Sequence, residues 1–210
     1  VTVMEESTIG RDAIDHALMD AYPGIEPIQF PAQTPFTEAG GDPLDEIAVF
    51  RDGEAWHYIS YGLSELYDKE SDNDKLSGFG FELCFLLHDP TGKEPPGWPL
   101  MLLQNLARYV FETGNLLDAG HGIDLEGPIT LEAETIITGI ALAQDPVLSP
   151  IETPHGSVTF LLVFGITDDE LKALESSSPE DFIAAAKRVN PDFLTTLQRK
   201  SWIENSQFYI

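Results

Sequence analysis

The chain has 210 residues, with 36 Asp and Glu against 11 Lys and Arg, for a formal net charge of −25 with neutral histidines. That balance excludes nucleic-acid binding through phosphate contacts, which needs Lys and Arg to displace counterions. It equally excludes a polybasic membrane-surface protein. A hydrophobic fraction of 42% with 10% aromatics is too apolar for general disorder and supports a real core.

In chain order, Ile9 to Tyr22 places Ile14, Ala17, Leu18 and Ala21 on one helical face, and Pro23-Gly24 stops the helix. Residues 23–43 read as an extended, surface-crossing connection rich in Pro and Gly. The run "EIAVFRDGEAWHYISYG" predicts two strands around a tight Asp52-Gly53 turn. An acidic loop follows, densest from Asp68 to Asp74. "SGFGFELCFLLHD" is the cleanest strand: Phe79, Phe81, Leu83, Phe85 and Leu87 share one face, and Gly80, Glu82, Cys84 and Leu86 the other.

"WPLMLLQNLARYVFETGN" is the strongest helix, with Leu102, Leu103, Leu106, Tyr109 and Val110 as its apolar stripe and Gly114 at its end. Two strands are predicted at Thr135–Leu142 and Ser157–Ile166. Thr167 with Glu170 has capping-box spacing, and Ser178-Pro179 starts a further helix. In the tail, Asn190-Pro191 fits a helix cap, while "FLTTL" and "QFYI" fit strands. No repeat or low-complexity linker breaks the chain, so one domain over 1–210 is expected.

Chemistry-bearing patterns are sparse. The single Cys84 forms no internal disulfide, which points to a reducing cytoplasm. Its place mid-strand suits a small buried hydrophobe rather than an activated thiolate. No apolar run reaches the ~18–20 residues that span a membrane. Gly78 and Gly80 precede a strand instead of opening a helix, so they read as a bulge or a close strand approach and not as a dinucleotide fingerprint. His121 and Asp124 share the glycine-rich "GHGID" loop and are the only local metal or hydrolytic pair, short of the three ligands that catalytic zinc needs. That enzyme reading requires His57, His121 and His155 to converge. No cofactor and no metal are expected.

Binding signals are better. "AWHYISYGLSELYDKE" sets Trp56, Tyr58, Tyr61 and Tyr67 beside Glu65, Asp68 and Glu70. Aromatics with polar tips anchor interfaces, and acidic neighbours speed the approach of a basic partner. Strand alternation puts Trp56, Tyr58 and Ser60 on one side and His57, Ile59 and Tyr61 on the other, so about half of these aromatics should be core.

These segments carry a resemblance. "GDPLDEIAVF", "WHYISYGLSELY", "SGFGFELCF", "PPGWPLMLLQNLARYVF", "DPVLSPIETPHGSVTFLLVFGIT" and "LQRKSWIE" resemble the suppressor-of-fused family in order and spacing, over about residues 15–205. The resemblance implies an α+β fold of the N-terminal type in that family, a central, largely antiparallel sheet with flanking helices. It also implies a non-catalytic binder. Animal members regulate Hedgehog signalling by holding a Gli-type transcription-factor peptide as an added strand between two domains. Bacterial relatives resemble immunity proteins against secreted toxins. Because the chain stops at Ile210, the second half of the Gli clamp is not expected here.

The family motif carries two positions onto this chain, Tyr58 in "WHYIS" and Asp68 after "SELY". The expected contact residues are therefore Trp56, Tyr58, Tyr61, Glu65, Tyr67 and Asp68. The expected partner is a protein, basic in character, and in a bacterial setting a toxin. A peptide-binding regulator would instead present an open strand edge near Tyr58.

Overall fold

The computed structural model describes residues 8–33 and 41–210. Helix α1 spans Ile9–Ala21 and buries Ile14 and Leu18, as its apolar spacing requires. After it come strands β1 (Ile28–Pro31), β2 (Glu46–Asp52), β3 (Ala55–Tyr61) and β4 (Leu76–His88). Helix α2 (Trp98–Thr113) has Pro99 in its first turn and ends at Gly114, whose φ of 69° satisfies a left-handed cap.

Strands β5 (Gly122–Asp124), β6 (Ile137–Gln144), β7 (Ile151–Thr153) and β8 (Gly156–Thr167) follow. Helices α3 (Asp168–Glu175) and α4 (Pro179–Val189) complete the main elements. The Thr167–Glu170 capping box forms at α3, and Ser178 accepts from the Asp181 N–H at α4.

The strands join in one sheet of order β1-β2-β3-β4-β8-β6-β5, with β7 paired to β8. Among the described strands only β4 and β8 run parallel; the other pairings are antiparallel, matching the expected α+β class. Asp52 pairs with Ala55, so the tight turn is Gly53-Glu54, one residue beyond the expected Asp52-Gly53. In β4 the register shifts between Leu76 and Phe81, where Gly78 and Gly80 have φ of 56° and 83°. Of the two alternatives the glycines suggest, the register shift marks an irregularity of the bulge kind, and a side chain at Gly78 would meet the Leu63 carbonyl oxygen of the loop after β3 at 2.7 Å.

Both faces of the sheet are covered, and this decides the fate of the aromatic motif. On one face Ile59, Tyr61, Cys84, Leu86 and Phe160 pack with residues of α1, α3, α4 and the tail. On the other, Trp56, Tyr58, Phe81, Leu83, Phe85 and Leu87 pack with α2. The alternation read in β3 and β4 is therefore correct, but each face is a core face. Burying a large side chain in either layer stabilises by roughly 1.5–3 kcal/mol.

Three expectations need correction. The connection over 23–43 contains β1, whose Ile28 to Pro31 pair with Val49 to Glu46. Strands β5 and β7 were not anticipated; each is three residues long, too short for alternation to show. The tail forms neither a capped helix nor strands: Thr195 makes one parallel bridge to Leu87, and Trp202–Glu204 is a single 3-10 turn. No helix among the described residues is long and apolar enough to cross a membrane.

Candidate functional site

The segment from Ser60 to Phe79 is shaped by two carboxylates. Glu82, fully buried in β4, accepts from the hydroxyls of Ser60 at 2.5 Å and Ser64 at 2.6 Å. It also accepts from the backbone N–H groups of Gly62, Leu63 and Ser64. Burial pushes the Glu82 pKa up, and the serine and backbone donors work against that rise. The chain leaving β3 is thereby bent tightly over β4.

Glu65 organises the acidic loop that comes next. Its carboxylate accepts from the backbone N–H groups of Glu70, Ser71 and Gly78 and from Lys69 Nζ at 2.9 Å. Desolvation opposes ionisation, but these donors outweigh it and bring the Glu65 pKa from 4.5 to about 2. Lys69 also donates to Ser71 Oγ and to the carbonyls of Asn73, Leu76 and His155, at 2.6–2.8 Å. One ammonium thus gathers a loop that the sequence shows only as a run of acids.

Between this loop and α2 lies a groove of about 460 Å³. Asp45, Glu65, Asp68 and Glu70 line it together with Tyr67, Phe79 and Phe111, and no Lys or Arg does. The structure divides the six expected contact residues. Glu65, Tyr67 and Asp68 are brought together on this groove. Trp56, Tyr58 and Tyr61 are buried in the two cores.

The polar tips of the buried three are spent internally. Trp56 Nε1 donates to Asp89, Tyr58 Oη to the Pro96 carbonyl and Tyr61 Oη to Asp15. Tyr58 also pairs with Val49 and Phe85 in neighbouring strands, so β3 offers no open edge near it. Glu70 is named in the sequence only as an acidic neighbour of the aromatic motif, and Asp45, Phe79 and Phe111 not as contact residues at all. The last three lie in separate motifs, and only folding brings them to one groove.

His121 and Asp124 do not build a metal or hydrolytic centre. Both are exposed; His121 Nδ1 accepts from the Asp118 N–H, and Asp124 accepts from the Glu126 N–H. The three histidines do not converge either. His155 Nε2 contacts the Tyr67 carbonyl, while His57 is fully buried beside Asp145.

Among the described residues, one group of three side chains has metal-ligand spacing: His57, Cys84 and Asp145, all buried. Its polar atoms are already engaged. Tyr22 Oη lies 2.6 Å from His57 Nδ1, and His57 Nε2 lies 3.0 Å from Asp145. The other Asp145 oxygen accepts from the N–H groups of Val147 and Leu148. Burial opposes the charged form of Asp145, but His57 and those donors hold its pKa below the usual range. Burial also pushes the Cys84 thiol well up, away from the thiolate a metal needs. This cluster reads as a satisfied polar lock between α1 and the sheet.

Comparison with known proteins identifies the relatives of this chain. The family model for suppressor of fused protein (SUFU) matches residues 40–200. Suppressor of fused homologs of Homo sapiens and Mus musculus are 35% identical over 191 residues, covering 82% of this chain and 39% of theirs. The chain thus spans well under half the length of these relatives. Among solved structures, a chain in the Sufu-Fu complex crystal structure superposes with a TM-score of 0.84 at 29% identity, covering 95% of this chain and 94% of that one. Drosophila Suppressor of Fused gives a TM-score of 0.86 at 29% identity, covering 95% and 53%. A putative homolog from Neisseria gonorrhoeae FA 1090 shares the fold, with a TM-score of 0.62 at 16% identity over 92% and 96%.

Proposed function

The chain belongs to the suppressor of fused family, and from that premise we propose that it is a non-catalytic module that binds and sequesters a basic protein partner. The observation that carries this reading is the groove beside α2, lined by Asp45, Glu65, Asp68 and Glu70 and by no Lys or Arg. Among the described residues, Glu65 alone of the four is paired to a lysine, Lys69 behind the lining. A partner that seats a cationic, partly aromatic surface there meets Asp68, Glu70 and Tyr67 at the rim and Phe79 and Phe111 below. Trp56, Tyr58 and Tyr61 act from within, by anchoring the strand that leads into the groove-lining loop. A structural relative of nearly the same length is found in a complex with Fu, which supports a protein as the class of partner.

The mechanism is occlusion. Clustered carboxylates steer a cationic surface into the groove and speed encounter, and the bound module then covers the surface the partner needs. Neutralisation of a basic toxin is one form this would take. The test is association kinetics between the purified chain and a partner captured from its native cell, across an ionic-strength series. The expected result is an on-rate that falls about tenfold or more between low and high salt, and falls similarly in the Asp68→Lys, Glu70→Lys double variant. A rate indifferent to both would remove the electrostatic groove from the account.

A further inference from the structure

The sheet ends at β5, and that edge borders a second groove unrelated to the acidic loop. It has a volume of about 650 Å³ and lies between α2 and β5, with Leu102, Leu106, Tyr109, Leu116 and Ile123 on its walls. Two of these are unusually open for their type: Tyr109 is 42% exposed and Leu116 53%. The apolar stripe read on α2 thus divides, with Leu103 and Val110 in the core and Tyr109 on this groove.

The ladder fixes which atoms of β5 are free. The Leu142 N–H donates to the His121 carbonyl and the Leu125 N–H to that of Thr138, while Ile123 lies opposite Ile140. Residues 121, 123 and 125 therefore face β6 with their backbone groups, and Gly122 and Asp124 turn theirs outward, where no strand among the described residues pairs with them. The side chains of His121, Ile123 and Leu125 share the groove side. Gly122 faces the other way, since a Cβ there would meet Leu174 of α3 at 2.5 Å. A strand laid along this edge would put every second side chain into the groove and the alternate ones on the Asp124 side.

Charge selects the occupant. No Lys or Arg occurs between Arg108 and Lys172, and those two are themselves paired, with Asp42 at 3.8 Å and Asp168 at 2.6 Å. Asp118, Asp124 and Glu126 are exposed beside the groove residues. We propose that the β5 edge and its groove form a second binding site, which takes an extended peptide of alternating apolar and basic residues as an added strand.

The experiment uses the full chain and two synthetic nonapeptides, one alternating Val with Lys and one alternating Val with Glu. Affinity is read by fluorescence anisotropy, and register by hydrogen exchange at single amides. The expected result is binding of the Lys peptide about tenfold or more tighter than the Glu peptide, with new protection at the Gly122 and Asp124 amides. Leu116→Lys, an exposed position that leaves the core intact, should weaken it about tenfold. Asp68→Lys, in the other groove, should leave it unchanged. Equal affinity for the two peptides, unchanged exchange at Gly122 and Asp124, or sensitivity to Asp68→Lys in place of Leu116→Lys would each overturn the proposal.

Discussion

The Arg199 guanidinium clamps the Glu170 carboxylate, with Nη1 2.6 Å from one oxygen and Nη2 2.5 Å from the other. The same carboxylate accepts from the N–H groups of Trp202 and Thr167, and Arg199 also donates to the Gly165 carbonyl. An irregular tail is thereby fastened to the start of α3 and the end of β8. Glu170 is fully buried, so removing its partner leaves a charge with too few counter-groups. Arg199→Met should cost about 3–5 kcal/mol, read as a lower urea midpoint at unchanged slope. Adding Glu170→Gln to that variant should recover part of the loss.

Acid should act on the Glu65 loop in a defined window. The folded carboxyl titrates at about 2 against an ordinary 4.5, so the native state binds fewer protons than the unfolded chain between those values. Its stabilisation is complete above 4.5 and is lost as pH falls towards 2. With the side chain only 9% exposed, the contribution is up to about 3 kcal/mol. Thermal unfolding followed from pH 7 to pH 2 should decline less in Glu65→Gln than in the parent chain. Identical profiles would show that the carboxylate contributes no pH dependence.

Glu82→Gln should be costly although it changes one atom. The carboxylate accepts from five donors, and an amide –NH2 would face two or more of them. A loss of about 2–3 kcal/mol is expected from denaturant unfolding, with faster hydrogen exchange at Gly62 and Ser64. A Glu82→Gln chain as stable as the parent would contradict the assigned donor set.

Lys69→Met should loosen the loop over residues 65–78 without unfolding the sheet. Limited proteolysis with a glutamate-specific protease is expected to cut after Glu70 in the variant well before the parent chain is cut. Equal cleavage would mean that the ammonium contacts do not hold the loop.

Cys84 should be silent in the folded state. Its burial and raised pKa predict no reaction with a disulfide reagent in native buffer and one full equivalent in denaturant. Labelling of native protein would show that the β4 core opens on the timescale of the assay.

How much of this was legible beforehand follows from the range of each signal. α1, α2, β4 and the β2–β3 hairpin were readable because their periodicity or turn chemistry is local. The covering of both sheet faces was not readable, since Trp56 and Tyr61 look the same in sequence whether they meet solvent or a helix. β5 was hidden by its length and by a Gly-His-Gly context that reads as loop. The groove was half legible: Glu65, Tyr67 and Asp68 are adjacent in sequence, but Phe79 and Phe111 reach it from β4 and α2. The lock of Tyr22, His57 and Asp145 left no trace, because its members are brought together only by folding.

The lysine at the centre of the acidic loop has a consequence for how that region is maintained. Many acidic loops are cross-linked by a captured divalent ion, and their order then tracks the ion's concentration. Here the cation is covalently part of the chain, and two side-chain oxygens and three carbonyls form its coordination sphere. Chelators leave such a loop in place, and so does a change of compartment. Acylation of the ε-amine would remove the cation, and a single neutralisation at Lys69 would loosen all five of these contacts at once while the backbone N–H donors to Glu65 remain.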